Sequence, residues 1–304
     1  MNHSEKRRAF LLTIATLPLA AANRVWAVDP ATAAPDVETA RTQLARIEHE
    51  LGGRLGLFAL NTANGAQLGH RADERFPLCS TFKVILAAAI LHRSAETTDL
   101  LQQRIHYNAS ELVTYSPRTE KHLASGMTVA ELCAAAVQYS DNTAANLLIK
   151  LLGGPAAVTA FARASGDNDF RLDRWETELN TAIPGDPRDT TTPAAMGHSL
   201  QRLALGDVLE SSRRAQLQDW LRGSTTGDAR IRAGVPKDWQ VGDKTGTGDY
   251  GTANDVAVLW PPQHAPIVLA IYTTHENQDA AARSDIIAIA TQVVVDWAGQ
   301  QRPA

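Results

Sequence analysis

Pro77-Leu78-Cys79-Ser80-Thr81-Phe82-Lys83, running into the apolar stretch Val84 to Leu91, decides how the rest of the chain is read. The proline imposes an extended approach. Phe82, Ile85, Leu86, Ala89 and Ile90 then recur at helical spacing, so a helix is expected to begin at Ser80. A hydroxyl at that place lies beside unpaired N–H groups and the positive end of the helix dipole. Lys83 is three residues on, which sets its amine on the same helix face. A serine is a weak nucleophile until a base takes its proton. A lysine removed from water can be that base, because burial disfavours its charged form. The same four-residue spacing also describes an exposed helix start with a solvated lysine, so the surrounding chain has to decide.

Upstream, Asp36 to Leu51 has the period of an amphipathic helix closed by Gly52-Gly53. Arg54 to Asn61 and Gln67 to Arg71 read as a hairpin around Ala63-Asn64-Gly65. Downstream come helical patterns over Thr128 to Gln138, Asn142 to Leu152, Pro155 to Ala164, from Thr192-Pro193, and over Ser211 to Leu221. The first opens with a capping box, and Thr192-Pro193 has the hydroxyl-then-proline order of a helix start. Gly166 to Asp189 has no period, and a long aperiodic connection inside a compact chain is usually functional. Gln240 to Thr247, Ala253 to Trp260 and Pro266 to Thr273 read as strands, and an amphipathic helix from about Asp279 to Trp297 closes the chain. The simplest α/β (α+β) arrangement is a five-stranded antiparallel sheet built from both chain ends and flanked by helices, plus an all-helical lobe. The expected division is 28–72 with 222–304 for the α/β lobe, and 73–221 for the helical lobe, including a long loop over 174–189. Ser80 falls at their seam, a usual place for a site.

Residues 1–27 read as a targeting segment rather than fold. Lys6-Arg7-Arg8 precedes an apolar run to Ala22, and Val25-Trp26-Ala27 supplies small residues for cleavage. The run is too short to span a bilayer. The paired arginines resemble a twin-arginine export signal; an ordinary secretory signal is the alternative. The expected location is the periplasm. The 304-residue chain has a net charge of −4, and loss of a basic leader makes it more negative, which argues against nucleic acid or an anionic membrane surface as partner. A monomer without stable membrane association is expected. The nine histidines are scattered without ligand spacing, so no metal or organic cofactor is implied. Cys79 and Cys133 both lie in apolar helical patterns and read as buried small hydrophobes.

Three further clusters fit chemistry at Ser80. In Tyr139-Ser140-Asp141-Asn142, Ser140 can relay a proton to a leaving nitrogen and the Asn142 amide can hold a substrate amide; the same residues are also good helix caps. Lys244-Thr245-Gly246-Thr247-Gly248 offers a cation and hydroxyls for a carboxylate, with glycine allowing close approach to the strand edge; it also reads as a hairpin turn. In Arg174-Trp175-Glu176-Thr177-Glu178-Leu179-Asn180, Glu176 and Asn180 can hold and deprotonate a water; a solvated charged loop is the bland alternative. What carries weight is the joint order Ser-x-x-Lys, Ser-Asp-Asn, Lys-Thr-Gly.

On these motifs, with Tyr115-Ser116-Pro117-Arg118-Thr119-Glu120-Lys121-His122, Arg171 to Asp186 and Gly242 to Asp255, the chain resembles the class A serine β-lactamases over essentially its whole mature length, most closely the Pen-type penicillinases of Gram-negative bacteria. The resemblance implies hydrolysis of penicillins and cephalosporins, and antibiotic resistance. It implies Ser80 as the acylated nucleophile, activated by Lys83 directly or with Glu176 through water, and Ser140 as proton donor to the β-lactam nitrogen. Glu176 with Asn180 would activate the deacylating water. The N–H groups of Ser80 and Thr247 would form an oxyanion hole. Lys244, Thr245, Gly246 and Thr247 would line the substrate carboxylate, Asn142 would hold the acylamide, and Tyr115 would wall the cleft. Asn146 would support Glu176, and Arg174 with Asp189 would close the loop as an ion pair. Three departures stand out. Ala253 occupies the place of a common strand arginine, with Arg230 in the position of an alternative one. Thr177 stands where many members have proline. The family's usual disulfide partner of Cys133 is replaced by Ala87, so two free thiols are expected. A penicillin-binding DD-peptidase or a penicillin-sensor domain would share the acylating motifs but lack Glu176 with Asn180.

Overall fold

The runs read as strands pair into one antiparallel sheet. In the computed structural model, which describes residues 34–300, β1 (Arg54–Asn61), β2 (Gln67–His70), β3 (Gln240–Thr247), β4 (Ala253–Trp260) and β5 (Ile267–Thr274) lie in the order β2-β1-β5-β4-β3. The expected five-stranded α/β architecture, assembled from both ends of the chain, is the one adopted. The leader expected over 1–27 lies outside the described residues. The helices are α1 (Ala34–Leu51), α2 (Lys83–Arg93), α3 (Val129–Gln138), α4 (Asn142–Leu152), α5 (Pro155–Ala164), α6 (Pro193–Ala204), α7 (Ser211–Arg222), the single turn α8 (Ile231–Gly234) and α9 (Ser284–Gln300).

Alternate side chains of a strand point to opposite faces, and here both faces are covered. Leu55, Leu57, Ala59, Leu269 and Ile271 pack with α1 and α9 through Leu44, Ile47, Ile287, Val294 and Trp297. Phe58, Leu60, Val256, Val268, Ala270 and Tyr272 belong to a second cluster with α2, α3, α4 and α6. The strands therefore read as nearly continuous apolar runs, although the sheet is antiparallel. At the centre of the second cluster, every residue of α2 from Lys83 to Leu91 is buried. A helix apolar on all sides belongs in a core, and this one carries Lys83 in with it.

Two expectations at element ends are corrected. Ser80 does not start α2 as a side-chain cap; Cys79–Phe82 form a 3-10 turn ahead of it, with Cys79 at φ +42°. The turn frees the hydroxyl for other partners. The last helix begins at Ser284 rather than near Asp279, because Asn277 Oδ1 accepts the Asp279 N–H at 3.0 Å and holds that segment in a turn. The aperiodic stretch is pinned at its base. Two-residue strands Phe76–Pro77 and Thr190–Thr191 pair there, and Leu78 N–H donates to Asp189 O at 2.8 Å. Cys79 and Cys133 are both buried and free.

Candidate active site

The predicted residues converge on one cleft of about 550 Å³ lined by Ser80, Tyr115, Ser140, Asn142, Asn180, Thr225, Thr226, Arg230, Thr245, Gly246 and Thr247. Lys83 and Glu176 lie beneath Ser80. Lys83 Nζ is 2.9 Å from Ser80 Oγ, 2.9 Å from the Ser140 carbonyl, 2.6 Å from Asn142 Oδ1 and 2.9 Å from Glu176 Oε1. Those four oxygens exceed the three protons of an ammonium. Burial pushes the Lys83 pKa below its ordinary value, opposed by the neighbouring Glu176. Ser80 Oγ in turn donates to Glu176 Oε1 at 3.3 Å. A buried ion pair of this kind is weak evidence for stability, since desolvation offsets its attraction; its position against a hydroxyl is the informative feature.

Glu176 is placed by two asparagines. Asn146, on α4, accepts the Glu176 N–H at 2.9 Å and donates to the Glu176 carbonyl at 2.8 Å. Asn180 Nδ2 donates to Glu176 Oε2 at 2.6 Å, while Asn180 Oδ1 is buried with no protein partner. The Glu176–Thr177 peptide is cis. The loop ends are joined by Arg174 and Asp189. Arg174 Nε donates to Asp189 Oδ2 at 2.5 Å, and Asp189 Oδ1 accepts the N–H groups of Asp173 and Arg174 at 2.7 and 2.9 Å. Within this heptad Glu176 and Leu179 are buried, while Trp175, Thr177 and Glu178 remain exposed.

The Ser-Asp-Asn cluster divides its labour. Asp141 is the helix cap, accepting the Ala144 N–H at 2.8 Å and the N–H groups of Arg118 and Thr119 at 2.9 Å each. That leaves Ser140, at φ +57°, and Asn142 to face the cleft. Lys244 Nζ donates to Ser140 Oγ at 2.9 Å and to the Thr245 carbonyl at 2.7 Å. Burial, with Lys83 nearby, pushes the Lys244 pKa well below its ordinary value. Asn142 Nδ2 donates to the Thr114 carbonyl at 2.8 Å, leaving its second N–H for a ligand. Tyr115, at φ +64° and 57% exposed, stands at the rim.

The third motif lies on β3, the sheet edge facing the Ser80 turn. A Cβ on Gly246 would stand 3.0 Å from the Leu78 carbonyl and 3.2 Å from Ser80 N, so only glycine fits without displacement. Arg230 is buried, with Nη1 donating to the Gly246 and Asn254 carbonyls and Nη2 to Thr247 Oγ1, all at 2.7 Å. Thr225 and Thr226 were not singled out from the sequence. Thr226 and Thr245 share a hydroxyl–hydroxyl hydrogen bond of 2.6 Å across the cleft. Two threonines in a loop give no periodic or motif signal that could have found them.

This arrangement supplies a hydroxyl between two buried bases, a second hydroxyl on a lysine, and a cationic pocket edge. The family model described as "Beta-lactamase enzyme family" matches residues 39–298. The chain is 55% identical over 288 residues to Beta-lactamase Toho-1 of Escherichia coli, covering 95% of this chain and 97% of that one. It is 57% identical over 256 residues to the Carbapenem-hydrolyzing beta-lactamase KPC of Klebsiella oxytoca, covering 84% and 87%. A crystal structure of a β-lactamase from Desulfarculus baarsii DSM 2075 superposes with a TM-score of 0.86 at 66% identity, covering 86% of this chain and 98% of that one. On the family match, the sequence identities and the shared fold, the chain belongs to the class A serine β-lactamases.

Proposed function

We propose that the protein cleaves the β-lactam amide of penicillins and cephalosporins through an ester on Ser80, and that Glu176 frees the enzyme with water. The observation that carries this reading is Ser80 Oγ within 2.9 Å of Lys83 Nζ and 3.3 Å of Glu176 Oε1, all buried. The Ser80 proton passes to that pair as Oγ attacks the lactam carbonyl. The developing oxyanion takes hydrogen bonds from the N–H groups of Ser80 and Thr247. As the C–N bond breaks, the Ser140 hydroxyl, held by Lys244, gives its proton to the nitrogen and regains the one taken from Ser80, so that this proton ends on the nitrogen and the Lys83–Glu176 pair is reset. In deacylation, Glu176 takes a proton from a water that also meets Asn180, the hydroxide adds to the ester, and Ser80 leaves with its proton restored. The buried, unpaired Asn180 Oδ1 suits a water at that place. Lys244, Thr245 and Thr247 receive the substrate carboxylate, with Arg230 setting the Thr247 hydroxyl; Asn142 and Tyr115 hold the side chain.

The lobes 28–72 with 222–304, and 73–221, meet along this cleft, which draws its nucleophile from one and its carboxylate pocket from the other. The setting is the periplasm, after export through the basic leader, and the working form is a monomer free of the membrane. Incubation with benzylpenicillin followed by mass spectrometry tests the nucleophile: Ser80→Ala is expected to lose both covalent labelling and hydrolysis. Persisting labelling would remove Ser80 from its role.

A further inference from the structure

The two donors assigned to the oxyanion hole sit on different elements. Ser80 N–H is in the 3-10 turn after Pro77-Leu78, and Thr247 N–H is at the end of β3, an edge strand with no further strand beside it among the described residues. Both must point at one oxygen to within a fraction of an ångström. We propose that Asn254 is the positioning residue that keeps them together, by clamping the Ser80 turn to the strand pair that carries Thr247.

Asn254 is on β4 directly opposite Gly246 in the register. Cross-strand partners share a face, and the absent side chain of Gly246 leaves the path open. Through it, Asn254 Nδ2 donates to the Pro77 carbonyl at 2.8 Å and the Leu78 carbonyl at 3.2 Å. Two acceptors require the amide's NH2 end, which fixes its orientation. From the other side, Arg230 Nη1 ties the Asn254 carbonyl to that of Gly246. The Leu78 N–H is held by Asp189 O, so the residue two before the nucleophile is gripped from both the sheet and the loop.

Packing alone does not account for asparagine here. The position is fully buried in an interior strand, where asparagine is a poor strand former. Its Oδ1 has no hydrogen-bond partner, an unmet buried acceptor that an apolar side chain would avoid. What the amide uniquely supplies is a pair of donors to the two carbonyls that precede the nucleophile's turn.

The inference rests on the oxyanion hole assigned above, and the experiment separates the two. Full-length Glu176→Ala protein is acylated with benzylpenicillin, and the ester carbonyl stretch is read by infrared difference spectroscopy. Two further proteins carry Asn254→Ala or the isosteric Asn254→Asp in that background. With Asn254 present, a single low-wavenumber ester band is expected; either substitution moves it to higher wavenumber or splits it. With Glu176 restored, kcat/KM is expected to fall about 10- to 100-fold. If the ester band and kcat/KM stay unchanged while only the melting temperature drops, Asn254 is a packing residue and the proposal fails. If Asn254→Ala does not fold, Asn254→Asp decides by the same two readouts. If no ester forms on Ser80 even with Asn254 intact, it is the acyl-enzyme reading that fails.

Discussion

Replacing Asn146 by alanine probes how the loop carboxylate is held. Asn146 contributes no atom to the cleft lining, yet its amide closes both backbone groups of Glu176, at 2.9 Å and 2.8 Å. Each such hydrogen bond contributes about 1 kcal/mol net, and more when its partner is left buried and unpaired. The two together give a loss of roughly 2–3 kcal/mol, or about 4–6 °C in melting temperature for a chain of this size. The kinetic effect falls on the step that depends on Glu176. A displacement of about 1 Å can cost up to about 100-fold, so deacylation is expected to slow by that order while acylation slows less. Stopped-flow hydrolysis of a chromogenic cephalosporin reads this as a burst approaching one equivalent of enzyme, followed by a slow steady state. Asn146→Asp keeps the acceptor for the Glu176 N–H and should fall between. A variant that melts lower but shows no burst and an unchanged deacylation rate would refute the claim that this bridge places the carboxylate.

Two further outcomes are expected. Asp141→Ala removes a helix cap and three further hydrogen bonds to Arg118 and Thr119; a loss of about 3–5 kcal/mol in denaturant unfolding is expected, and a loss under about 1 kcal/mol would contradict the capping role. Asp186, at the loop tip, has its pKa lowered from 3.8 to about 2, chiefly by the Arg188 side chain. Because the folded value is the lower one, the unfolded chain binds more protons in that interval. Its stabilisation is present above about pH 4 and lost as pH falls toward about 2. The melting-temperature gap between wild type and Asp186→Asn should therefore narrow on acidification from pH 5 to pH 3, and a pH-independent gap would be inconsistent with it.

The parts of the fold legible in the sequence are those with a period. Arg54–Asn61, Gln240–Thr247 and Ala253–Trp260 have the bounds read from the sequence, and α4 and α5 span Asn142–Leu152 and Pro155–Ala164 as expected. Short elements have no period to read. The two-residue strands at Phe76 and Thr190, the single turn α8 and the 3-10 turn at Ser80 are set by contacts across the chain. The chemistry was legible where residues sit close in sequence, as Ser80 with Lys83. The convergence of Thr226 and Asn254 on the same strand was not, because it depends on strand register. Asn254 did carry one signal: Asn254-Asp255 interrupts an otherwise apolar strand, and a polar pair in a buried strand calls for a reason.

Glu176 carries the step that separates hydrolysis from a lasting acyl-enzyme. Its direct test is the fate of the Ser80 ester in Glu176→Ala exposed to benzylpenicillin and followed by intact-protein mass spectrometry. The expected result is a one-equivalent adduct that persists while turnover falls roughly 10²–10⁴-fold. Rapid turnover without adduct would contradict it.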